Sequence, residues 1–181
     1  MAAEHHRRTL VVGEITMASK SKRSASSSRA KPLDAVALLK ADHRQVEQWF
    51  SQFEKAGSAG KKQQLASSIC AALTVHTSIE EEIFYPAFLK ATKDKDMHHE
   101  AIVEHAGAKA LIAEIEQMSP RDDYFDAKVT VLSEMIKHHV KEEEQPGGMF
   151  AEAKKSGMDL RGLGEELMAR KKELQSTAEA A

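Results

Sequence analysis

The sequence predicts an all-α protein: an antiparallel up-down four-helix bundle built from two helix-pair repeats, with an additional C-terminal helix. Three observations predict it. Apolar residues make up 41% of the 181 residues while aromatic ones make up only 5%, and four prolines impose few breaks, a composition that favours helix. Four long stretches carry apolar residues at alternating spacings of three and four, the mark of one helix face. The chain also repeats itself: His43 to His105 is 62 residues, and His76 to His139 and Glu80 to Glu143 are each 63, so one two-helix unit occurs twice.

Residues 1–31 precede the bundle and read as a disordered tail. Positions 19–31 hold six Ser and five basic residues and nothing to pack. Met17 opens a run that resembles a native N-terminus, so the first sixteen residues read as a start-site extension.

The bundle is assigned to residues 32–148. Helix one is expected from near Pro32, a favourable first-turn residue, to about Lys55, with Val36, Leu39, His43, Val46, Phe50 and Phe53 on its inner stripe. Gly57 to Gly60 form a tight turn that makes helices one and two antiparallel neighbours. Helix two is expected from Lys61 to Lys90, its stripe running Leu65, Ile69, Ala72, His76, Ile79 and Ile83. Pro86 cannot donate to the Glu82 carbonyl, which predicts a kink just past the acidic cluster. Phe84, one turn past Glu80, is placed to shield that cluster from water.

Thr92 to Met97 read as a polar connection to helix three, whose stripe is His98, Ala101, His105, Ala108, Ile112 and Ile115. His98 lies roughly 10 Å along the axis from His105, too far to share an ion with it, and is placed at the mouth of the bundle. Ser119 to Asp122 make the second turn. Helix four follows through Phe125, Val129, Leu132, Ile136, His139 and Glu143, and Gln145 to Gly148 end it. Residues 149–181 form the C-terminal extension. Its helix runs from Asp159 to about Gln175, with Leu160, Leu163 and Leu167 as a narrow stripe against the bundle exterior.

The stripes carry chemistry. His76 and Glu80 are four residues apart and share the buried face of helix two, and His139 and Glu143 repeat that spacing on helix four. An imidazole and a carboxylate buried without partners would be costly, and a cation partners both at once. His138 and Glu142 form a competing pair at the same spacing, but Leu132 and Ile136 keep His139 in register, and helical rotation puts His138 about 100° away. His43 and His105 complete a set of four imidazoles and two carboxylates with pseudo-twofold symmetry. The His-Glu-x-x-His of zinc proteases is absent. So is the Glu-x-x-His of ferritin-like carboxylate proteins, because Leu73, Ile102 and Ile136 stand three residues before His76, His105 and His139. Four imidazoles cannot saturate two ions, so Glu80 and Glu143 are expected to bridge, with positions left open on iron, manganese or zinc.

Lys-Ala-Asp-His43, His76-Thr-Ser-Ile-Glu80-Glu-Glu-Ile-Phe-Tyr-Pro86, Glu-His105-Ala-Gly-Ala-Lys109 and His139-Val-Lys-Glu-Glu143 resemble the hemerythrin-like proteins with the His-His-Glu (HHE) cation-binding domain, over about residues 33–145. The resemblance implies a non-haem di-iron centre. His43, His76, His105 and His139 would be its terminal ligands, and Glu80 and Glu143 its bridges. The oxygen carriers of that family have a fifth His one turn from the helix-three ligand. Here the positions four before and after His105 are Ala101 and Lys109, which leaves two imidazoles per ion. The function so implied is binding of O2 or NO for storage or sensing. The alternative is a di-iron oxidoreductase acting on peroxide, NO or its own iron through a redox partner that the sequence does not identify.

Compartment and partners follow from composition. The single cysteine, Cys70, excludes an intrachain disulfide and fits a reducing compartment. No apolar run approaches the roughly 18 residues of a membrane span, so the protein is placed in the cytoplasm with no membrane partner. The formal charge of -2 points to no polyanionic partner, and no specific nucleic acid is expected.

Overall fold

The computed structural model describes residues 33–179, with side chains to Thr177. Pro32 and the tail of residues 1–31 lie outside the described residues. Helix α1 spans Ala35–Glu54 and starts later than Pro32 would have it, because the Asp34 carboxylate accepts from the Ala37 amide and caps the first turn. Helix α2 spans Ala59–Ile79 behind a Ser58 cap. A π-helical turn, Glu80–Phe84, then leads without a break into α3, Tyr85–Thr92. Helix α4 spans Lys95–Glu116 from an Asp94 cap, so the polar connection before it is shorter than the sequence suggested. Helix α5 spans Phe125–Glu144, α6 Met149–Lys155 and α7 Leu160–Glu179.

The π turn accounts for one departure from expectation. A strict 4-3-4 rhythm puts Ile83 on the inner stripe after Ile79, yet Ile83 is only partly buried while Phe84, Tyr85 and Phe88 are wholly enclosed. One extra residue in the turn rotates everything after it. The disturbance expected at Pro86 therefore falls earlier, on the acidic residues themselves, and Pro86 occupies the first turn of α3, where its missing N–H costs little.

Helices α1, α2, α4 and α5 pack as an antiparallel ring, α1 against α2 and α5, and α4 against α2 and α5. Two apolar clusters fill it. One holds Val46, Phe50, Phe53, Ile69, Leu73, Ile112, Phe125 and Ile136; the other holds Leu39, Ile79, Phe84, Tyr85, Phe88, Ala101 and Phe150. His43, His76 and His105 each fall in sequence between residues of one cluster and residues of the other, so a polar layer separates the two.

Helix α6 was not anticipated, and it closes the second cluster: Met149, Phe150 and Ala153 are buried. Helix α7 lies along α1, α2 and the π turn and buries Leu167. It approaches closely because residue 164 is Gly; a β-carbon there would collide with the Leu33 carbonyl and sit 2.9 Å from the Ala35 nitrogen. Arg170 on α7 pairs with Glu82 at 2.7 Å, and Lys171 pairs with Asp42 on α1. No helix among the described residues is long and apolar enough to cross a membrane.

Candidate metal centre

Each bundle helix delivers one imidazole to the polar layer. His43, His76, His105 and His139 are 2–5% exposed, Glu80 0% and Glu143 2%, so all six residues singled out by spacing come together inside the ring. Their competitors do not join them. His138 is 62% exposed. His98 is half-buried, its ring 6.3 Å from that of Tyr85.

The imidazoles form two pairs. His43 Nε2 lies 3.1 Å from His76 Nε2, and His105 Nε2 lies 3.2 Å from His139 Nε2. The carboxylates span the pairs. Glu80 Oε2 is 3.1 Å from His76 Nε2 and 3.4 Å from His105 Nε2; Glu143 Oε2 is 3.4 Å from His43 Nε2 and 3.7 Å from His139 Nε2. His43, His76 and Glu80 make one group able to hold a cation, and Glu80, His105 and His139 make another.

The far side of each imidazole explains why a cation fits. His43 Nδ1 meets Glu144 at 2.8 Å, His105 Nδ1 meets Glu81 at 3.0 Å and His139 Nδ1 meets Glu104 at 2.7 Å. His76 Nδ1 faces Asp42 at 3.6 Å. A ring that donates its Nδ1–H outward carries a lone pair on Nε2. When both rings are neutral and donate Nδ1–H outward, His105 and His139 point two lone pairs at each other across 3.2 Å, an arrangement that a cation relieves and a hydrogen bond between them cannot. Glu80 Oε1 and Glu143 Oε2 are also buried without hydrogen-bond partners. The residues present fit a metal.

The four outer carboxylates form a ring in which each helix serves the next: Asp42 of α1 faces His76, Glu81 of the π turn His105, Glu104 of α4 His139, and Glu144 of α5 His43. Such partners fix the tautomer and raise the basicity of a ligating imidazole. Sequence spacing pointed to none of them, yet the repeat carried their signal. An acid precedes both His43 and His105, and an acid follows both Glu80 and Glu143.

Tyr85 was also missed. Its hydroxyl sits 3.1 Å from His105 Nε2, 3.1 Å from Glu143 Oε1, 3.4 Å from Glu80 Oε2 and 3.5 Å from His139 Nε2, one O–H among four acceptors. Tyr85 follows Glu80 by five residues, a spacing that a regular helix would aim elsewhere and the π turn brings to one face. Above His43, the Phe150 ring stacks at 5.8 Å, and Phe84 meets Phe150 edge-on at 5.6 Å, so the shield foreseen for Phe84 is built with α6.

Protons in this cage are held against their ordinary tendencies. Burial would push the His76 imidazole down, but Glu80, Asp42 and Glu143 outweigh it and hold it at about 10. Burial and the charge of Glu80 push Glu143 up to about 8. Burial works against the ionised form of Glu80, and the neighbouring His76 and His105 more than offset it, leaving it well below the usual carboxylate range. Burial lowers His43 to about 4. Burial and both carboxylates raise Tyr85 well above its usual value, so it keeps its proton.

The Hemerythrin family, described as the hemerythrin HHE cation binding domain, matches residues 34–146. Among curated proteins the chain is similar to a DNA nickase of Nostoc sp. (strain PCC 7120), 28% identical over 107 residues, which are 59% of this chain and 30% of the relative. The chain thus spans about a third of that protein's length. Among solved structures it is similar to a hemerythrin HHE cation binding domain-containing protein from Mycobacterium kansasii. The TM-score is 0.66 at 22% identity, covering 81% of this chain and 90% of that one, a likeness of fold.

Proposed function

The chain belongs to the hemerythrin family with the HHE cation binding domain, and from that premise we propose that it is a non-haem di-iron protein that binds O2 or NO for storage or sensing. His43 and His76 would hold one ion, His105 and His139 the other, with Glu80 and Glu143 between them. The observation that carries this reading is the sharing of both carboxylates between the two imidazole pairs, which suits a bridged pair of ions better than a single one. Iron so held supplies open coordination positions and a change of oxidation state.

The rest is the protein's own work. The outer carboxylates hold the imidazoles in the ligating tautomer. Phe84 and Phe150 exclude water from above. The enclosed space beside the imidazoles, walled by Val46, Leu73, Ile136 and Val140, is about 10 Å³. That is room for roughly one water-sized molecule. Tyr85 holds its O–H among the imidazoles and carboxylates at the centre. The same hydroxyl favours the second reading, an oxidoreductase acting on peroxide, NO or its own iron, because a hydrogen-bond donor stands at the centre.

The test is anaerobic loading with Fe(II), elemental analysis, then titration with NO. About two irons per chain and a saturable optical change on NO addition are expected. One tightly held zinc per chain would sink the di-iron reading, and NO consumed in excess of iron would transfer the protein to the oxidoreductase class.

Loading should also release protons. A cation must displace the proton that Glu143 keeps up to about 8 and the one that His76 keeps up to about 10, so affinity falls as pH drops below that range and rises as it climbs through it. Titrating the protein with Zn(II) at pH 6 and pH 8 in weak buffer checks this; equal affinity with no acid released would contradict it.

A further inference from the structure

We propose that Glu104, His138 and Glu142 form a second cation site at the surface, through which divalent metal is loaded into the cage. This rests on the reading of the cage as a metal centre. Glu104 Oε1 lies 3.4 Å from His138 Nε2, and Glu142 Oε1 lies 3.1 Å from the same nitrogen. The three residues can converge on one ion. One imidazole and two carboxylates suit Fe(II), Mn(II) or Zn(II). His138 and Glu142 repeat the His139–Glu143 spacing one residue earlier, so α5 carries one such pair inward and a second toward solvent, and Glu104 touches both faces: its Oε2 holds His139 Nδ1 at 2.7 Å.

The outer carboxylates differ in a way that points here. Glu144 is clamped by Lys40 at 3.1 Å and Arg44 at 2.7 Å, Glu81 by Lys109 at 2.6 Å, and Asp42 by Lys171. Among the described residues Glu104 has no Lys or Arg partner; the group on its outer side is His138. Three of the four carboxylates around the cage are neutralised by fixed side-chain cations, and the fourth is left for a mobile one.

The space around Glu104 is open in the right directions. A cavity of about 130 Å³ on one side is lined by Glu100, Glu104 and Glu142 at its acidic wall and by His139 and Glu143 at its inner end. Another of about 170 Å³ is lined by Glu104 and His138 together with His105 and His139. Glu143 Oε2, buried and without a hydrogen-bond partner, belongs to a residue of the first cavity's wall. A cation held by Glu104 and Glu142 thus has a carboxylate of the cage as its next partner.

The experiment uses the full chain with Fe(II) and Zn(II) as probes, comparing wild type with Glu142→Gln and with the double variant His138→Ala/Glu142→Gln. Glu104 is left intact because it orients His139. Equilibrium dialysis against Zn(II) should give wild type one weakly held ion beyond the cage's complement, and that ion should be lost in both variants. Stopped-flow uptake of Fe(II) into the cage should slow on the order of tenfold in the double variant, with the final cage content unchanged. Absence of the extra ion from wild type overturns the site, and an unchanged uptake rate overturns its loading role. Glu80→Ala separates this from the cage: a surface ion kept when the cage is empty supports the site even if the di-iron reading fails, whereas its loss there overturns it.

Discussion

Replacing Glu80 by Ala should strip both ions from the cage, whereas replacing His43 by Ala should strip one. Glu80 Oε2 lies within 3.4 Å of imidazoles from both pairs, so its removal opens both groups able to hold a cation. His43 belongs to one group only. Removing outer partners such as Glu81 or Glu104 should cost about 10–100-fold in affinity, and removing Glu80 more than that. The protein should suffer as well, because His76 is held charged chiefly by Glu80, and breaking a buried ion pair costs about 3–5 kcal/mol. Glu80→Gln keeps the volume and separates lost charge from lost packing. Metal content per chain decides the matter: Glu80→Ala protein that still holds one ion firmly would make Glu80 a ligand of a single ion.

Gly148→Ala should be strongly damaging and should weaken the cage. Gly148 caps α6 with φ near -75°, an ordinary backbone, so its need for glycine is one of space. A β-carbon would overlap the Glu142 carbonyl oxygen and lie 3.0 Å and 3.1 Å from those of Glu143 and Gln145. These are backbone atoms and cannot swing away, so the last turn of α5 must move, taking Glu143 with it. Overpacking of this kind costs about 1–3 kcal/mol, and at the upper end Tm should fall by about 6–12 °C for a domain of this size, with weaker metal retention. Gly147→Ala is the comparison. Its cost comes from φ of 81° with nothing crowding the site, so it should lose stability and keep its metal affinity. Unchanged Tm and metal content in Gly148→Ala would refute the coupling between this junction and the cage.

What the sequence made legible was the period. Stripes of three and four put Val36, Leu39, Val46, Phe50 and Phe53 inside on α1 and Ala101, Ala108, Ile112 and Ile115 inside on α4, and His43 and His105, in register with them, are inside too, while His98 at the end of the α4 stripe is half-buried. Buried packing enforces that signal at every turn. The outer carboxylates were hidden for the opposite reason. Each sits beside an inner residue on its own helix but serves an imidazole on another, and no spacing within one helix encodes a partner across the bundle. Helix α6 is too short for periodicity to reveal, and its buried residues matter through their contact with His43 and Phe84. The π turn escaped because it breaks the period itself. Its trace in the sequence is that Ile83 stands where the stripe requires burial, while two aromatic residues, Phe84 and Tyr85, stand just past it.

That turn sets local regularity against use. Five residues of π-helix are a poorer arrangement than the α-helix on either side, and shortening the turn by one residue would restore a continuous ladder of hydrogen bonds. It would also swing every later side chain by about 100°, carrying the Tyr85 hydroxyl out of the cage. A laboratory screen that rewarded heat resistance alone would favour such changes, because regular helix is gained while the metal chemistry goes unmeasured. A thermostability score does not read what the cage does, so such a screen would trade the Tyr85 hydroxyl for a more regular helix.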